Sequence, residues 1–172
     1  MSANKPLYQE KQKFTKWWLW IIFLGADFIF LSGTYMQVVL GRPFGNQPIS
    51  NTSLILITGL LVLVTLIFIT NRLDTLIKKD GIYVQFFPFQ WKFRYYSWAA
   101  IKECRYTRYK TSASIAGIGL RFGLFSNQTA YNISGKEGIR LTFQEEKPVF
   151  IGTKNPKEMA AVIAELGQLK LK

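Results

Sequence analysis

The 172-residue chain contains no histidine and a single cysteine, Cys104. Without histidine it lacks the side chain that most often serves as general base or metal ligand near neutral pH. With one cysteine no disulfide can close within the chain, which agrees with a reducing compartment. Acidic side chains are also scarce: 10 Asp and Glu stand against 22 Lys and Arg, for a net charge of +12. No Ser/His/Asp or Cys/His set can be assembled from this inventory, and no paired-carboxylate constellation stands out among its acids. The expectation is therefore a protein that is not an enzyme and holds no metal and no cofactor. Gly117-Ile118-Gly119 and Gly135-Lys136-Glu137-Gly138 are not phosphate loops, because neither opens a helix after a strand. The basic charge comes without a helix-turn-helix or RNA-binding signature, so nucleic acid is not an expected partner. Cys104, with no histidine beside it, reads as a small buried apolar side chain and not as a nucleophile.

What the chain does have is two long apolar runs near its start, Trp17–Leu40 and Leu54–Thr70. At about 1.5 Å per residue the first crosses a hydrocarbon core of roughly 30 Å with some tilt, and the second lies near the lower limit for a span. Both are apolar all round, unlike a surface helix of a soluble protein. The first is too long for a signal-peptide core and lacks a small-residue cleavage site. Lys5, Lys11, Lys13 and Lys16 precede the first run and Arg72, Lys78 and Lys79 follow the second, while the connecting segment 41–53 holds Arg42 alone. The excess of cations at both outer flanks predicts an in–out–in hairpin with both termini in the cytoplasm. Trp17, Trp18 and Trp20 are then expected as anchors at the inner interface and Tyr35 nearer the outer one. The resulting division is a basic segment 1–16, a transmembrane hairpin 17–70 (spans 17–40 and 54–70) and a cytoplasmic domain 73–172.

From Leu73 the pattern changes to short alternating runs separated by turn residues. LDTLIK, IYVQFF, WKFRYY, KECRYTRYK, IGLRFGL, TAYNIS, IRLTFQ and PVFIGT read as strands. Lys79-Asp80-Gly81 is a hairpin signal, since Asp-Gly suits positive φ. In WKFRYY, alternation sets Trp91, Phe93 and Tyr95 on one face and Lys92, Arg94 and Tyr96 on the other. Ser97 is a candidate N-cap for a short helical turn at Trp98–Ile101. At the end, Asn155, Pro156 and Glu158 match an N-cap, first helical position and capping box, and Met159, Val162, Ile163 and Leu166 recur at helical spacing. The expected fold is thus a membrane α-helical hairpin followed by a mainly-β meander, antiparallel and closed into a pleckstrin-homology-like (PH-like) barrel by a C-terminal α-helix.

The strings KFTKWWLW (13–20), LGRPFGNQPIS (40–50), DGIYVQFFPF (80–89), YYSWAAIKE (95–103), AYNISGKEGIRL (130–141) and IGTKNPKEM (151–159) resemble a family of small, largely uncharacterised bacterial membrane proteins with two spans and a PH-like tail. The match covers nearly the whole chain; Ser114–Gly119, SIAGIG here, departs from a Gly-Gly-Trp-Gly-like string. The resemblance implies an integral protein of the bacterial inner membrane with no established activity.

Four groups of residues are candidate sites. Asp27 is the one ionisable residue inside either run. A carboxylate at that depth costs about 2.5–3.5 kcal/mol, so it is a polar site by default, able to bond Thr58 or Thr65 or to join two copies. Lys78, Lys79, Lys92, Arg94, Arg105, Arg108 and Lys110 are candidates for an anionic lipid headgroup, as basic residues in this region are in phosphoinositide-binding PH domains. Alternation, however, puts Arg105 and Arg108 on opposite faces. Phe86, Phe87, Phe89 and Trp91 make an unusually apolar turn, expected to fold back against the C-terminal helix or else to meet a bilayer or partner. From Arg72 onward lie 17 of the 22 cations and 8 of the 10 acids, a net +9. An anionic leaflet attracts such a domain by about 1 kcal/mol per cation close to it. Three functions follow: a membrane-anchored interaction module whose partner is a protein or a second copy, a sensor of anionic lipid surfaces, and a small membrane enzyme or transport component using Asp27. The absence of catalytic groups favours the first two.

Overall fold

The computed structural model describes residues 5–14, 16–108, 119–121, 129–133 and 137–168. The chain divides into two compact units, one made of residues 15–70 and the other of residues 1–14 together with 71–172.

The first unit is the helical hairpin. Helix α1 spans Trp17–Thr34 and continues into a wider π-helical turn, Tyr35–Val39; α2 spans Asn51–Thr70. Both are long and apolar enough to cross a membrane, and most of their side chains face outward. Of the residues between them, Asp27 and Gly33 on α1 and Thr58 and Thr65 on α2 are smaller or more polar than the exposed Ile and Leu, and Leu54 is the one large apolar side chain fully buried there. This is the usual economy of helix pairs in lipid, where small and hydroxyl residues permit close approach. Thr34 and Thr58 hydroxyls bond at 2.7 Å. Phe23 and Phe68 rings meet at 4.9 Å. In the connecting loop Gln37 Nε2 donates to the Ile49 carbonyl at 2.7 Å, while its Oε1 accepts from the Phe44 amide at 3.1 Å. The Phe44 ring lies against Gly33, where any Cβ would strike it.

The second unit holds two sheets. One has the order β1-β2-β3-β4, formed by Tyr8–Lys13, Arg72–Ile77, Gly81–Phe87 and Arg94–Ser97. The other has the order β5-β8-β9-β7-β6, formed by Ile101–Arg108, Glu137–Phe143, Val149–Thr153, Thr129–Asn132 and Gly119–Arg121. Between the sheets, Trp98–Ala100 forms a 3₁₀ turn, with the Ser97 hydroxyl accepting from the Ala99 amide at 3.3 Å. Helix α3, Pro156–Glu165, buries Met159 and Ile163. Leu73, Ile77, Ile82, Val84 and Phe86 from the first sheet and Tyr131, Ile139, Leu141 and Ile151 from the second are buried as well.

The structure corrects several expectations. The described residues form two separate sheets and no closed barrel. The strands are not all antiparallel, because β7 pairs with β9 in parallel. The segment read only as a basic leader contains β1, which pairs along its whole length with β2, from Tyr8 opposite Ile77 to Lys13 opposite Arg72. Hydrophobic periodicity missed it because its inward face is Tyr8, Glu10 and Gln12, mostly polar. WKFRYY yields a strand only from Arg94; Tyr96 is buried while Trp91, Phe93 and Tyr95 are exposed. Gly81 does not take positive φ. It is needed instead because a Cβ there would run into the Tyr96 carbonyl. Asn155 makes no side-chain cap, although Pro156 does open α3. Lys110 and the 114–118 part of the departing string lie outside the described residues.

Candidate functional site

A buried polar latch ties β1, at the edge of its sheet, to the end of β9. Glu10 sits on β1 and is almost fully buried. Its Oε2 accepts from the Tyr8 hydroxyl at 2.6 Å and the Thr153 hydroxyl at 2.5 Å, and its Oε1 accepts from the Lys154 amide at 2.8 Å. Beside it Gln12 Nε2 donates to the Gly152 carbonyl at 2.7 Å. Two side chains of β1 therefore bridge to β9 and the approach to α3. Burial, and then the bond to Glu10, push the Tyr8 phenol well above its usual range. The latch satisfies its own donors and acceptors, as a structural network must. No sequence signal marked it.

The sequence-predicted cations do not gather in one pocket. Lys78 and Lys79 lie in the β2–β3 turn, at the end of the first sheet opposite the β3–β4 loop that carries Lys92. Lys78 Nζ stands 4.8 Å from the Tyr83 ring centre. The Tyr83 hydroxyl donates to Asp80, which pushes that phenol up to about 12. Arg105 pairs with Glu103 at 2.7 Å and Arg108 with Glu137 at 3.0 Å, both on β5 and its neighbour. Tyr106 donates to the same Glu137, and these two bonds, Tyr106 first, hold its carboxyl below the usual range. The register sets Arg140, which sequence reading passed over, directly opposite Arg105. Arg94 lies 6.0 Å from the Tyr96 ring centre.

The apolar turn separates into two parts. Phe86 is buried in the sheet. Phe87 is half-buried, with the Arg72 guanidinium 5.2 Å from its ring centre and Trp91 edge-on at 5.7 Å. Phe89 and Trp91 are exposed, at 57% and 80%, and Phe93 joins them at 42%. Fold-back against the C-terminal helix is thus corrected for Phe89 and Trp91. Arg72 and Phe93 belong to this patch although sequence reading had not included them.

In the hairpin, Asp27 faces inward, and its Oδ1 is buried without a hydrogen-bond partner. The Thr34–Thr58 bond sets the antiparallel register, and seven residues along each helix it brings Asp27 level with Thr65, also buried. Thr58, the other expected partner, is engaged by Thr34 instead. Trp17, Trp18 and Tyr35 are exposed and Trp20 half-buried, packing edge-on to Phe23 at 6.3 Å. Cys104 is buried, and burial raises its thiol to about 12. No group of three or more His, Cys, Asp and Glu side chains able to hold a metal occurs among the described residues.

Fold and site together define a β domain interrupted by an apolar helical hairpin, which enters between two paired strands of one sheet. The chain belongs to the family of unknown function DUF6141, whose model matches residues 5–167. No curated protein and no solved structure matches the chain.

Proposed function

We propose that the chain is an integral protein of the bacterial inner membrane, with both termini in the cytoplasm, that presents its β domain there as a non-enzymatic, PH-like interaction module. The observation that carries this reading is the pairing of β1 with β2. The strand before α1 and the strand after α2 share one sheet, so a chain that crosses a bilayer in α1 must cross back in α2. The cations argue for the cytoplasm: Lys5, Lys11, Lys13 and Lys16 before α1 and Arg72, Lys78 and Lys79 after α2 outnumber the single Arg42 between. The PH-like reading rests on two sheets followed by one terminal helix. The interaction reading is supported by β5, an eight-residue strand at the edge of its sheet among the described residues. An exposed edge offers backbone donors and acceptors to a strand of a partner or second copy.

Topology is tested by placing cysteines at Asn46 and Lys79 and adding an impermeant maleimide to intact cells. Labelling at 46 and protection at 79 is expected; labelling at 79 refutes the orientation. Interaction is tested with a photocrosslinking side chain at Lys102, on β5, in living cells. One discrete adduct is expected, and its absence, or an identical adduct from position 79, counts against the edge. The second reading, a lipid-surface sensor, draws on the exposed Trp91 and the net +9 charge. It requires salt-sensitive preference for anionic over neutral vesicles.

A further inference from the structure

We infer that the β3–β4 loop, through Phe89, Trp91 and Phe93 with Lys92, is a third membrane contact, seated in the headgroup region of the same leaflet into which the hairpin runs. This rests on the proposal that α1 and α2 span a bilayer. The argument comes from register. Lys13, the last residue of β1, pairs with Arg72, the first of β2, and Arg72 pairs with Phe87, the last of β3. Three residues separate Lys13 from the start of α1, and Asn71 alone separates Arg72 from the end of α2. The end of the sheet where both helices attach is therefore the end from which the aromatic loop springs. The opposite end carries the Lys78–Asp80 turn. Its rings, Tyr83 and Tyr95 with centres 4.7 Å apart and Trp98, are tied to that turn by hydrogen bonds to Asp80 and to the Lys78 carbonyl, whereas among the described residues no side-chain hydrogen bond holds the Phe and Trp rings of the β3–β4 loop.

Composition fits this position. A loop in water seldom displays Trp at 80% exposure beside Phe at 57% and 42%. Amphipathic aromatic rings are favoured at headgroup level, with cations beside them reaching to phosphates. Lys92 is exposed between Trp91 and Phe93, and Lys13 is exposed at the same end of the sheet. Inside the loop the apolar side chains are held, not loose: Phe86 and Phe89 stack at 5.7 Å, and Gln85 Nε2 donates to the Trp91 carbonyl at 2.9 Å. The bilayer interface is the occupant that matches both the rings and the charge.

The test uses the full chain in vesicles of phosphatidylcholine with a minority of phosphatidylglycerol. Single cysteines replace Trp91, Lys79 and Leu63, the last on the exposed side of α2, and each carries an environment-sensitive fluorophore. Cys104, buried, stays unlabelled in the folded protein. With lipids spin-labelled near the headgroup or along the chain, quenching and a blue shift are expected at 63 and at 91, and neither at 79. Quenching at 63 with 91 no different from 79 overturns the inference and leaves the spanning hairpin intact. No quenching at 63 overturns the spanning hairpin and the inference with it. A blue shift at 91 without lipid quenching means the patch is covered by protein, and also overturns the inference. Phe89→Cys repeats the measurement should Trp91→Cys disturb the loop.

Discussion

Removing the Glu10 carboxylate tests whether β1 is held by its latch to β9 or only by its pairing with β2. In Glu10→Ala three donors lose their acceptor: the Tyr8 and Thr153 hydroxyls and the Lys154 amide. The two hydroxyls stand 3.1 Å apart and can bond one another, so one of them is compensated. Two bonds remain lost, each worth about 1.5–3 kcal/mol for a charged acceptor. At the low end of that range the cost is about 3 kcal/mol, roughly a hundredfold in the equilibrium that opens the strand. Hydrogen exchange by mass spectrometry on the detergent-solubilised full chain reads this directly, since local opening sets the protection of residues 8–13. Protection across β1 should fall by about that factor, while Glu10→Gln, which keeps one acceptor oxygen, falls between. Unchanged protection of β1 in Glu10→Ala would refute the Glu10 bonds as a stabilising element and leave the strand to its pairing with β2 and the Gln12–Gly152 bond.

Three further outcomes follow from the geometry. The Cys104 thiol, raised from 9.0 to about 12 by burial, stays neutral in the folded state where an unfolded chain ionises. Its contribution to stability is therefore complete below pH 9 and is lost as pH rises from there to about 12, a slope that Cys104→Ala removes in thermal melts taken across that range. Gly138 has no room for a methyl, because a Cβ would run into the Ile151 carbonyl in the neighbouring strand, so Gly138→Ala should lower the unfolding midpoint by the equivalent of about 1–3 kcal/mol. Thr58→Val deletes the hydroxyl bond to Thr34 and should weaken association of the two helices by about 0.6 kcal/mol, measured by steric trapping or in a split-helix assay; a loss several times larger would mean Thr58 does more than this bond.

Much of the fold is legible from residue order. Ile82, Val84 and Phe86 alternate into the core of β3, and Ile139, Leu141 and Phe143 do so in β8, because apolar side chains at period two have one good place to go. Met159 and Ile163 are spaced for one face of α3 in the same way. Strand order is another matter. Residue order marks Thr129–Asn132 as a strand but not that it will lie parallel to β9. Nor does it reveal β1, whose inward side chains are satisfied by hydrogen bonds and so carry no hydrophobic period. The candidate site was legible in its parts and not in its assembly. Phe89 and Trp91 were identifiable as an odd turn, yet of the cations grouped around that region only Lys92 shares the loop, while Lys78 and Lys79 lie at the other end of the sheet. Arg72, distant from the turn in sequence, stacks on Phe87 because the register brings it there.

The pairing of β1 with β2 also dictates an order of events during synthesis. Tyr8–Lys13 is made first, but its hydrogen-bonding partner Arg72–Ile77 emerges only after both apolar helices, and the acceptor site that completes Glu10 waits for Thr153 and Lys154. A chain folding from its N-terminus can close the later strands on one another while this first strand still has nowhere to bind. The oldest residues of the domain are thus among the last to be seated, and their docking reports that the helices between them have already been delivered.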